Sequence, residues 1–455
     1  MRLANSALSM LSFGPKDPFA TLEIRSSRRD RLELALLRIA EPDGQGVKAC
    51  VTVYHDAARA AADAADARAR VGVSLGPLDG AIVSIKDLFD VAGEPTRAGS
   101  KILADEAKPA ASDAAIVRRL RAGGAIIVAK TNMTEFAFTG IGANPHYGTP
   151  GNPRDRTRVP GGSSAGAPVA VADGMCEISI GTDTGGSVRI PASLCGLVGF
   201  KPSRQRIPTD GAFPLSYSLD SVGPIARSVA DCAKADAVMA GEKFSPPELA
   251  ALPGLRFGIA EGLPLDRLDD GVTAGFNAAI KRLDGAGVRV SREALSLFDG
   301  MSAVNAKGGI SPPEACAIHR DRLQRRAKDV DPNVLVRIER GCAVSAADYV
   351  DMVRERDRLV RAMDVRLVGR DVLLMPTTSI VAPTIAEVAD EKVFAARNAA
   401  LLRNTAIINF FDLCAVTLPL PVAPALPVGL MLIARNGDDH RLLSIAAAVE
   451  KLFAS

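Results

Sequence analysis

Short apolar runs alternate with helix-forming segments along the first half of this sequence, and that alternation constrains the fold more than any other feature. The stretch AARAAADAADARARV favours helix through its alanines, and after a Gly-Pro turn GAIVSIKD reads as a short strand ending at Lys86. Ser112 is placed to cap DAAIVRRLRAGG, whose closing glycines suit a helix C-terminus. AIIVAK follows as a buried strand, AGAPVAVADGM as a helix, and EISIG and LVGFKPS as strands. Strand and helix in turn are the pattern of an α/β fold. From Thr139 to Gly166 the chain is rich in Gly, Pro, Asn and Ser, as expected of a long loop system near something functional.

Beyond residue 235 the pattern loosens into helical segments such as DDGVTAGFNAAIKRLDGAG and SAADYVDMVRERDRLVRAMDVRLVG, with the short strands LRFGIA and VRVS between them. DVLLMPTTS and LPVGLMLIA then return to strand character before a final helix, RLLSIAAAVEKLFA. The simplest organisation is an N-terminal segment over 1–50 and one large unit over 51–455. That unit has a core at 75–235, a mainly helical insertion at about 240–370 and a return to the sheet at 371–455. The 455 residues are 47% hydrophobic, enough for a large core.

Composition excludes several functions. With no Trp and 4% aromatic residues, nucleic-acid binding by base stacking is not expected. The 55 basic residues exceed the 52 acidic ones by only 3, and the densest basic stretch, Arg320 to Lys328, is interrupted by Asp321 and reads as a solvated helix face. Seven cysteines lie far apart without a CxxC pair, which reads as reduced thiols in a cytoplasmic protein and not as a disulfide frame. The four histidines lie far apart and form no clustered ligand motif with the cysteines, so neither a metal nor any other cofactor is expected. The first twenty residues make a poor signal peptide. The uncharged stretch Ala415 to Ala434 is long enough to cross a membrane, but Pro419, Pro421, Pro424 and Pro427 would break it as a helix. It reads as buried extended segments.

Three segments place polar residues in apolar, Gly-rich surroundings: Lys86 in VSIKDLFDV, Ser163 and Ser164 in PGGSSAGAPVAVADG, and Ser187 in GTDTGGSVRIPAS. A lysine at a strand end is commonly a surface cation, but Ile85 and Leu88 draw this one inward, where desolvation would free its amine to act as a base. GGSSAG lacks the Lys-Ser/Thr ending of a phosphate loop, and either serine could simply cap the next helix. The glycines of TGGS either let successive N–H groups converge on one point, as an oxyanion hole requires, or form only a tight turn. The setting of Ser187 is not a GxSxG elbow, so a Ser-His-Asp arrangement is not implied. Of His55, His146, His319 and His440, only His146 lies in the glycine-rich loop region, where it reads as a substrate-loop or structural residue before a base.

Taken together, Lys86, the run Gly161 to Ser164 and the run Gly181 to Ser187 resemble the amidase signature family, whose members cleave or transfer amides with a Ser-Ser-Lys triad. IPASLCGLVGFKPS, DSVGPIARSVADCA, LLMPTTSIVAPTI, RNTAIINFFDLCAVTLPLP and LPVGLMLIA follow in family order, so the resemblance covers roughly residues 50 to 450. It implies a mixed central β-sheet covered by helices on both faces. It also implies Ser187 as nucleophile, Ser163 as a bridging serine after a cis peptide bond, and neutral Lys86 as base. The interval between the serines, 187 − 163 = 24, matches the family's. Backbone N–H groups of Thr184, Gly185, Gly186 and Ser187 would form the oxyanion hole, with Ser164, Asp183 and Arg189 as support. Ala165 stands where many relatives carry glycine, and KPSRQRIPTDGAFP departs from the commoner pattern at a place where relatives approach substrate.

Family specificity comes from loops over the triad, and the matching regions here supply Met133, Phe136, Phe138, Gly140, Ile141, Phe213 and Tyr217 as pocket candidates. No arginine cluster marks a carboxylate site, which disfavours small dianionic substrates. The expected function is hydrolysis of a non-peptide carboxylic amide through a Ser187 acyl-enzyme, acting on a small molecule without nucleic acid or membrane. The alternatives are the catalytic A-type component of a tRNA-dependent amidotransferase complex and a urea-type (allophanate or carboxybiuret) hydrolase. The chain is short for such a component and has no evident basic surface. The N-terminal segment reads either as a contact in a homodimer or as disordered.

Overall fold

The computed structural model describes residues 27–420 and 426–454. Most of the expected N-terminal contact segment therefore lies outside the described residues. The described chain opens with the helix Arg28–Ile39, whose first turn is closed by Ser27 accepting from the Asp30 N–H while the Asp30 side chain accepts from Ser27 N–H. This helix packs on His55–Arg70. The latter presents Ala58, Ala62 and Ala65, one face of a 3.6-residue period, to the contact.

One mixed 11-stranded sheet organises the rest. Its strands are β1 (Cys50–Val53), β2 (Ile82–Lys86), β3 (Ile126–Thr131), β4 (Ile178–Thr182), β5 (Val198–Lys201), β6 (Val222–Ala226), β7 (Arg256–Ala260), β8 (Arg289–Glu293), β9 (Val372–Pro376), β10 (Cys414–Pro419) and β11 (Gly429–Ala434). They lie in the order β1-β3-β2-β4-β6-β5-β10-β11-β9-β7-β8. β3, β2 and β4 run parallel, as do β9, β7 and β8, and the strands between these groups pair antiparallel. Every residue of β2, β3, β4, β9 and β11 is buried, as expected of strands covered on both faces. Alternate side chains enter different cores. Val83, Ile85, Ile127, Leu430 and Leu432 join one continuous cluster, while Ile82, Ile126 and Val128 face a second and Met431 and Ile433 a third.

Residues 240–370 are mainly helical, but β7 and β8 return from within them to one edge of the sheet. The uncharged proline-rich stretch forms β10 and β11, and among the described residues no helix is long and apolar enough to cross a membrane. Two local expectations fail. The helix after Ser112 starts at Ala115 without a side-chain cap, because the Asp90 and Asp210 carbonyls accept from the Ala114 and Ala115 N–H groups. Neither Ser163 nor Ser164 caps Gly166–Ala172.

The thiol expectation also needs correction. Cys50, Cys176, Cys195, Cys232 and Cys414 are free and buried, but Cys316 and Cys342 form a disulfide. Their helices, Ser311–Arg326 and Pro332–Cys342, pack tightly: a side chain at Gly341 would sit 2.0 Å from the Pro312 carbonyl oxygen. That approach brings together two cysteines 26 positions apart, a tertiary proximity with no local spacing to reveal it.

Candidate active site

Parallel β2 and β4 end side by side, so the residues closing them share one edge of the sheet, where open α/β folds place their sites. Lys86 closes β2. It is fully buried, and its Nζ donates to Ser163 Oγ at 2.8 Å and to Thr182 Oγ1, at the end of β4, at 2.9 Å. Burial lowers its pKa from 10.5 to about 7, against the opposing charges of Asp220 and Asp183. A large fraction of the amine is therefore neutral near pH 7, with a hydroxyl in hydrogen-bond contact whose proton it can take.

Ser163 follows a cis Gly162–Ser163 peptide. Its segment is pressed against the loop at 140–142: Gly162 N–H donates to the Gly140 carbonyl at 2.8 Å, and a side chain at Gly162 would lie 2.7 Å from Gly142 N. The Ser163 carbonyl accepts from Thr134 N–H at 2.9 Å. Ser164 is buried against Gly181, and no described residue hydrogen-bonds its hydroxyl.

The loop from Asp183 to Ser187 is held from three directions. Asp183 and Arg189 are both fully buried and form a two-pronged pair, with Arg189 Nη2 at 2.8 Å and Nε at 3.0 Å. Burial alone would raise the Asp183 pKa, but Arg189 outweighs it and the carboxyl sits at about 2. Asn409, on the helix Glu391–Phe410, donates to the Asp183 carbonyl at 2.9 Å and accepts from Arg189 at 2.7 Å. Thr405 of the same helix donates to the Gly185 carbonyl at 2.6 Å. Gly186 has φ +135°, and a Cβ there would sit 2.1 Å from Thr405 Oγ1, so only glycine fits. Among the described residues nothing accepts from the N–H groups of Thr184, Gly185, Gly186 and Ser187, which leaves four backbone donors available at one turn.

A small cavity of about 50 Å³ opens over this turn, lined by Phe138, Thr139, Thr184, Gly185, Ser187 and Arg337 among others. It shares Thr184, Gly185, Ser311, Arg337 and Leu402 with a wider cleft of about 410 Å³ that continues outward past Arg340. The turn can hold a planar carbonyl between a serine hydroxyl and backbone donors, and the Lys86–Ser163 pair supplies a buried amine bonded to a second serine hydroxyl. Among the described residues there is no cluster of side chains suited to a metal ion.

The pocket candidates divide. Phe138 lines the cavity, and Gly140 packs beside it against Ile190 and Leu402. Met133, Phe136 and Ile141 are buried in core clusters. Phe213 packs against Phe136 and lines a separate groove of about 490 Å³, and Tyr217 is exposed. His146 is outside the cavity: its Nε2 lies 3.3 Å from the buried Glu135, a pairing that raises its pKa.

Sequence reasoning passed over Thr182, Asp220, Thr405, Asn409 and Arg337. The first four stand in or beside quoted motifs and could have been singled out for their hydrogen-bonding groups. Arg337 has no local signal. It sits on Pro332–Cys342, its guanidinium stacks over the Phe138 ring at 4.6 Å, and burial lowers its pKa to about 10. Its Nε is buried without a hydrogen-bond partner, and among the described residues no carboxylate pairs with it.

A model of the Amidase family matches residues 31–443. The chain is 39% identical to the 2-amino-5-chloromuconic acid deaminase of Comamonas testosteroni, over 87% of this chain and 86% of that one. It is 34% identical to the A-type subunit of the glutamyl-tRNA(Gln) amidotransferase from Symbiobacterium thermophilum, over 92% of each. With both chains covered to the same extent, length does not separate this protein from such subunits. A crystal structure of an amidase superposes with a TM-score of 0.84 at 34% identity, covering 94% of this chain and 97% of that one. The chain belongs to the amidase family, hydrolases acting on carbon–nitrogen bonds.

Proposed function

We propose that this protein hydrolyses a small amide that carries a carboxylate, through an acyl-enzyme on Ser187. The observation that carries the reading is buried Lys86, 2.8 Å from Ser163, together with a cavity that Ser187 lines. Neutral Lys86 takes a proton from Ser163 as Ser163 takes one from Ser187, and the Ser187 oxygen attacks the amide carbonyl. The N–H groups of Gly185, Gly186 and Ser187 receive the oxyanion, an interaction worth about 2.7–4 kcal/mol per donor elsewhere. The relay returns the proton to the departing nitrogen, and water then releases the acid.

Arg337 supports the carboxylate. A half-buried guanidinium whose Nε is sealed from water and has no partner among the described residues is costly, and a substrate carboxylate in the cleft would satisfy it with two parallel hydrogen bonds. The deaminase relative is itself named for an acid.

The test is ammonia release by purified protein from a panel of ω-amides of dicarboxylic acids, each paired with its methyl ester, with Ser187→Ala as control. Turnover of the acids in preference to the esters, abolished in Ser187→Ala, is expected. No turnover of any amide by the wild type would sink the stand-alone reading. The second reading, the A-type component of an amidotransferase complex, is favoured by the 34% relative and predicts activity only with a co-purifying partner.

A further inference from the structure

The segment from Leu215 to Asp220 carries a carboxylate that the relay just described does not use. Asp220 stands two residues before the start of β6, the strand next to β4. Its Oδ1 accepts from Thr184 Oγ1 at 2.5 Å, and its Oδ2 accepts from the N–H groups of Leu215 at 2.9 Å and Ser216 at 3.1 Å. Thr184 begins the turn that holds the Gly185, Gly186 and Ser187 donors, and both Thr184 and Leu215 line the cavity. The same segment is anchored from outside by Glu314, on Ser311–Arg326. This second carboxylate accepts from Ser218 N–H at 3.1 Å and from the hydroxyls of Ser216, Ser218 and Tyr349. Part of Asp220 remains accessible, but its carboxylate is enclosed by these donors, and burial raises its pKa to about 6.

Asp220 also stands near Lys86: the amine bonds Thr182 Oγ1 and Asp220 bonds Thr184 Oγ1, two positions along the same segment, and between them Asp183 and Ser221 exchange backbone hydrogen bonds. Of the two carboxylates whose charge opposes the desolvation of the amine, it is the stronger; the other, Asp183, is already neutralised by Arg189 and Asn409. The remaining neighbours of the amine, Ser163 and Thr182, are uncharged hydroxyls.

We propose that Asp220 is a positioning residue with two separable effects: through Thr184 it fixes the turn that receives the oxyanion, and through its charge it sets the protonation of Lys86. Neither effect requires contact with substrate. The first acts through the hydrogen bond to Thr184, so it depends on an acceptor at Oδ1. The second depends on the negative charge alone. Loss of that charge makes the ammonium form of Lys86 less favourable, so the pH at which the amine becomes available falls.

The inference rests on the proposed roles of Lys86 and Ser187, and the test is chosen to separate the two. A fluorophosphonate labels the nucleophile without needing the natural substrate: Ser187 Oγ forms the new P–O bond, fluoride leaves with the P–F electrons, and the hydroxyl proton passes through Ser163 to Lys86. The labelling rate is measured against pH for the wild type, Asp220→Asn, Thr184→Val, Thr184→Ser and Ser187→Ala, with circular dichroism confirming that each is folded. The wild-type rate is expected to rise with half-maximum near pH 7. Asp220→Asn is expected to move that half-maximum down by about one unit. Thr184→Val is expected to lower the plateau about tenfold, and Thr184→Ser to restore it. An unmoved half-maximum in Asp220→Asn overturns the charge effect, and a wild-type plateau in Thr184→Val overturns the tether. Should Asp220→Asn fail to fold, the Thr184 pair still decides the tether. Undiminished labelling of Ser187→Ala would instead overturn the relay itself, and with it this inference.

Discussion

Replacing Lys86 with methionine should abolish activity and make the protein more stable near neutral pH. Lys86 is held at about pKa 7, against 10.5 for a free lysine, by burial. That drop corresponds to about 5 kcal/mol of differential interaction between its charged and neutral forms. Because the folded pKa lies below the unfolded one, the folded protein binds fewer protons than the unfolded chain between pH 7 and 10.5. Stability due to this group therefore rises with pH across that window, and the full penalty applies below pH 7. Methionine removes the penalty but leaves Ser163 Oγ and Thr182 Oγ1 without the amine they now face, at a cost of about 1–3 kcal/mol.

The net gain at pH 6.5 is then roughly 1–4 kcal/mol, or about 1–4 °C in Tm for a chain of this length. At pH 9.5 only about 1 kcal/mol of the penalty remains, so the lost hydrogen bonds should cancel the gain or reverse it. Thermal unfolding of wild type and Lys86→Met, followed by circular dichroism at both pH values, measures the difference directly. A Tm difference that does not change between pH 6.5 and 9.5 would refute the reasoning, because it would mean that the folded lysine keeps its ordinary pKa. Retained amide turnover by the variant would refute the role of the amine.

Arg337→Gln should lower kcat/KM for carboxylate-bearing amides by about 30-fold or more, the effect of removing one partner of a buried charge pair, while fluorophosphonate labelling of Ser187 keeps its rate; an equal loss on the neutral methyl esters would argue against a carboxylate contact. Gly186→Ala should be inactive in an ammonia-release assay, because the new methyl would sit 2.1 Å from Thr405 Oγ1 at a φ of +135°; activity near wild type would mean that the turn tolerates displacement. Arg189→Met leaves Asp183 buried without its cation and should cost about 3–5 kcal/mol, visible as a Tm lowered by several degrees at pH 7; an unchanged Tm would show that Asn409 alone satisfies the carboxylate.

How much of this was legible in the sequence depended on whether the cause was local. β2, β3 and β4 announce themselves as apolar runs because they are buried on both faces, and the helix His55–Arg70 through its alanines. The candidate site was legible where Lys86 closes an apolar strand and where glycine and serine runs mark the turns carrying Ser163 and Ser187, just before the helices Gly166–Ala172 and Arg189–Cys195. Helix starts were less so: the carbonyls of Asp90 and Asp210, remote in sequence, replace the cap expected of Ser112. The apolar and aromatic residues near the loop were misleading for a related reason. Phe136 and Ile141 are apolar enough for a pocket wall, but the same property buries them in the core, and Tyr217 is turned out to solvent. Nothing local distinguishes an arginine on an exposed helix face from Arg337, which is 150 positions from the serine whose cavity it lines.

On the proposed function, the placement of Arg337 separates chemistry from recognition in this fold. The proposed proton relay is built from the ends of two central parallel strands and from turns that hydrogen bonds and glycines fix in place, so a substitution there disturbs several partners together. The outer wall of the cleft comes instead from Ser311, Arg337 and Arg340, on the helix pair Ser311–Arg326 and Pro332–Cys342. That pair is tied internally by the Cys316–Cys342 bridge and reaches the relay side through Phe138 and the Glu314-anchored segment before β6. Side chains on these helices can change with little effect on Lys86, Ser163 or Ser187, because none of the three bonds to them. Substrate choice can therefore move within this architecture by altering the helix pair, while the strand-end chemistry stays as it is.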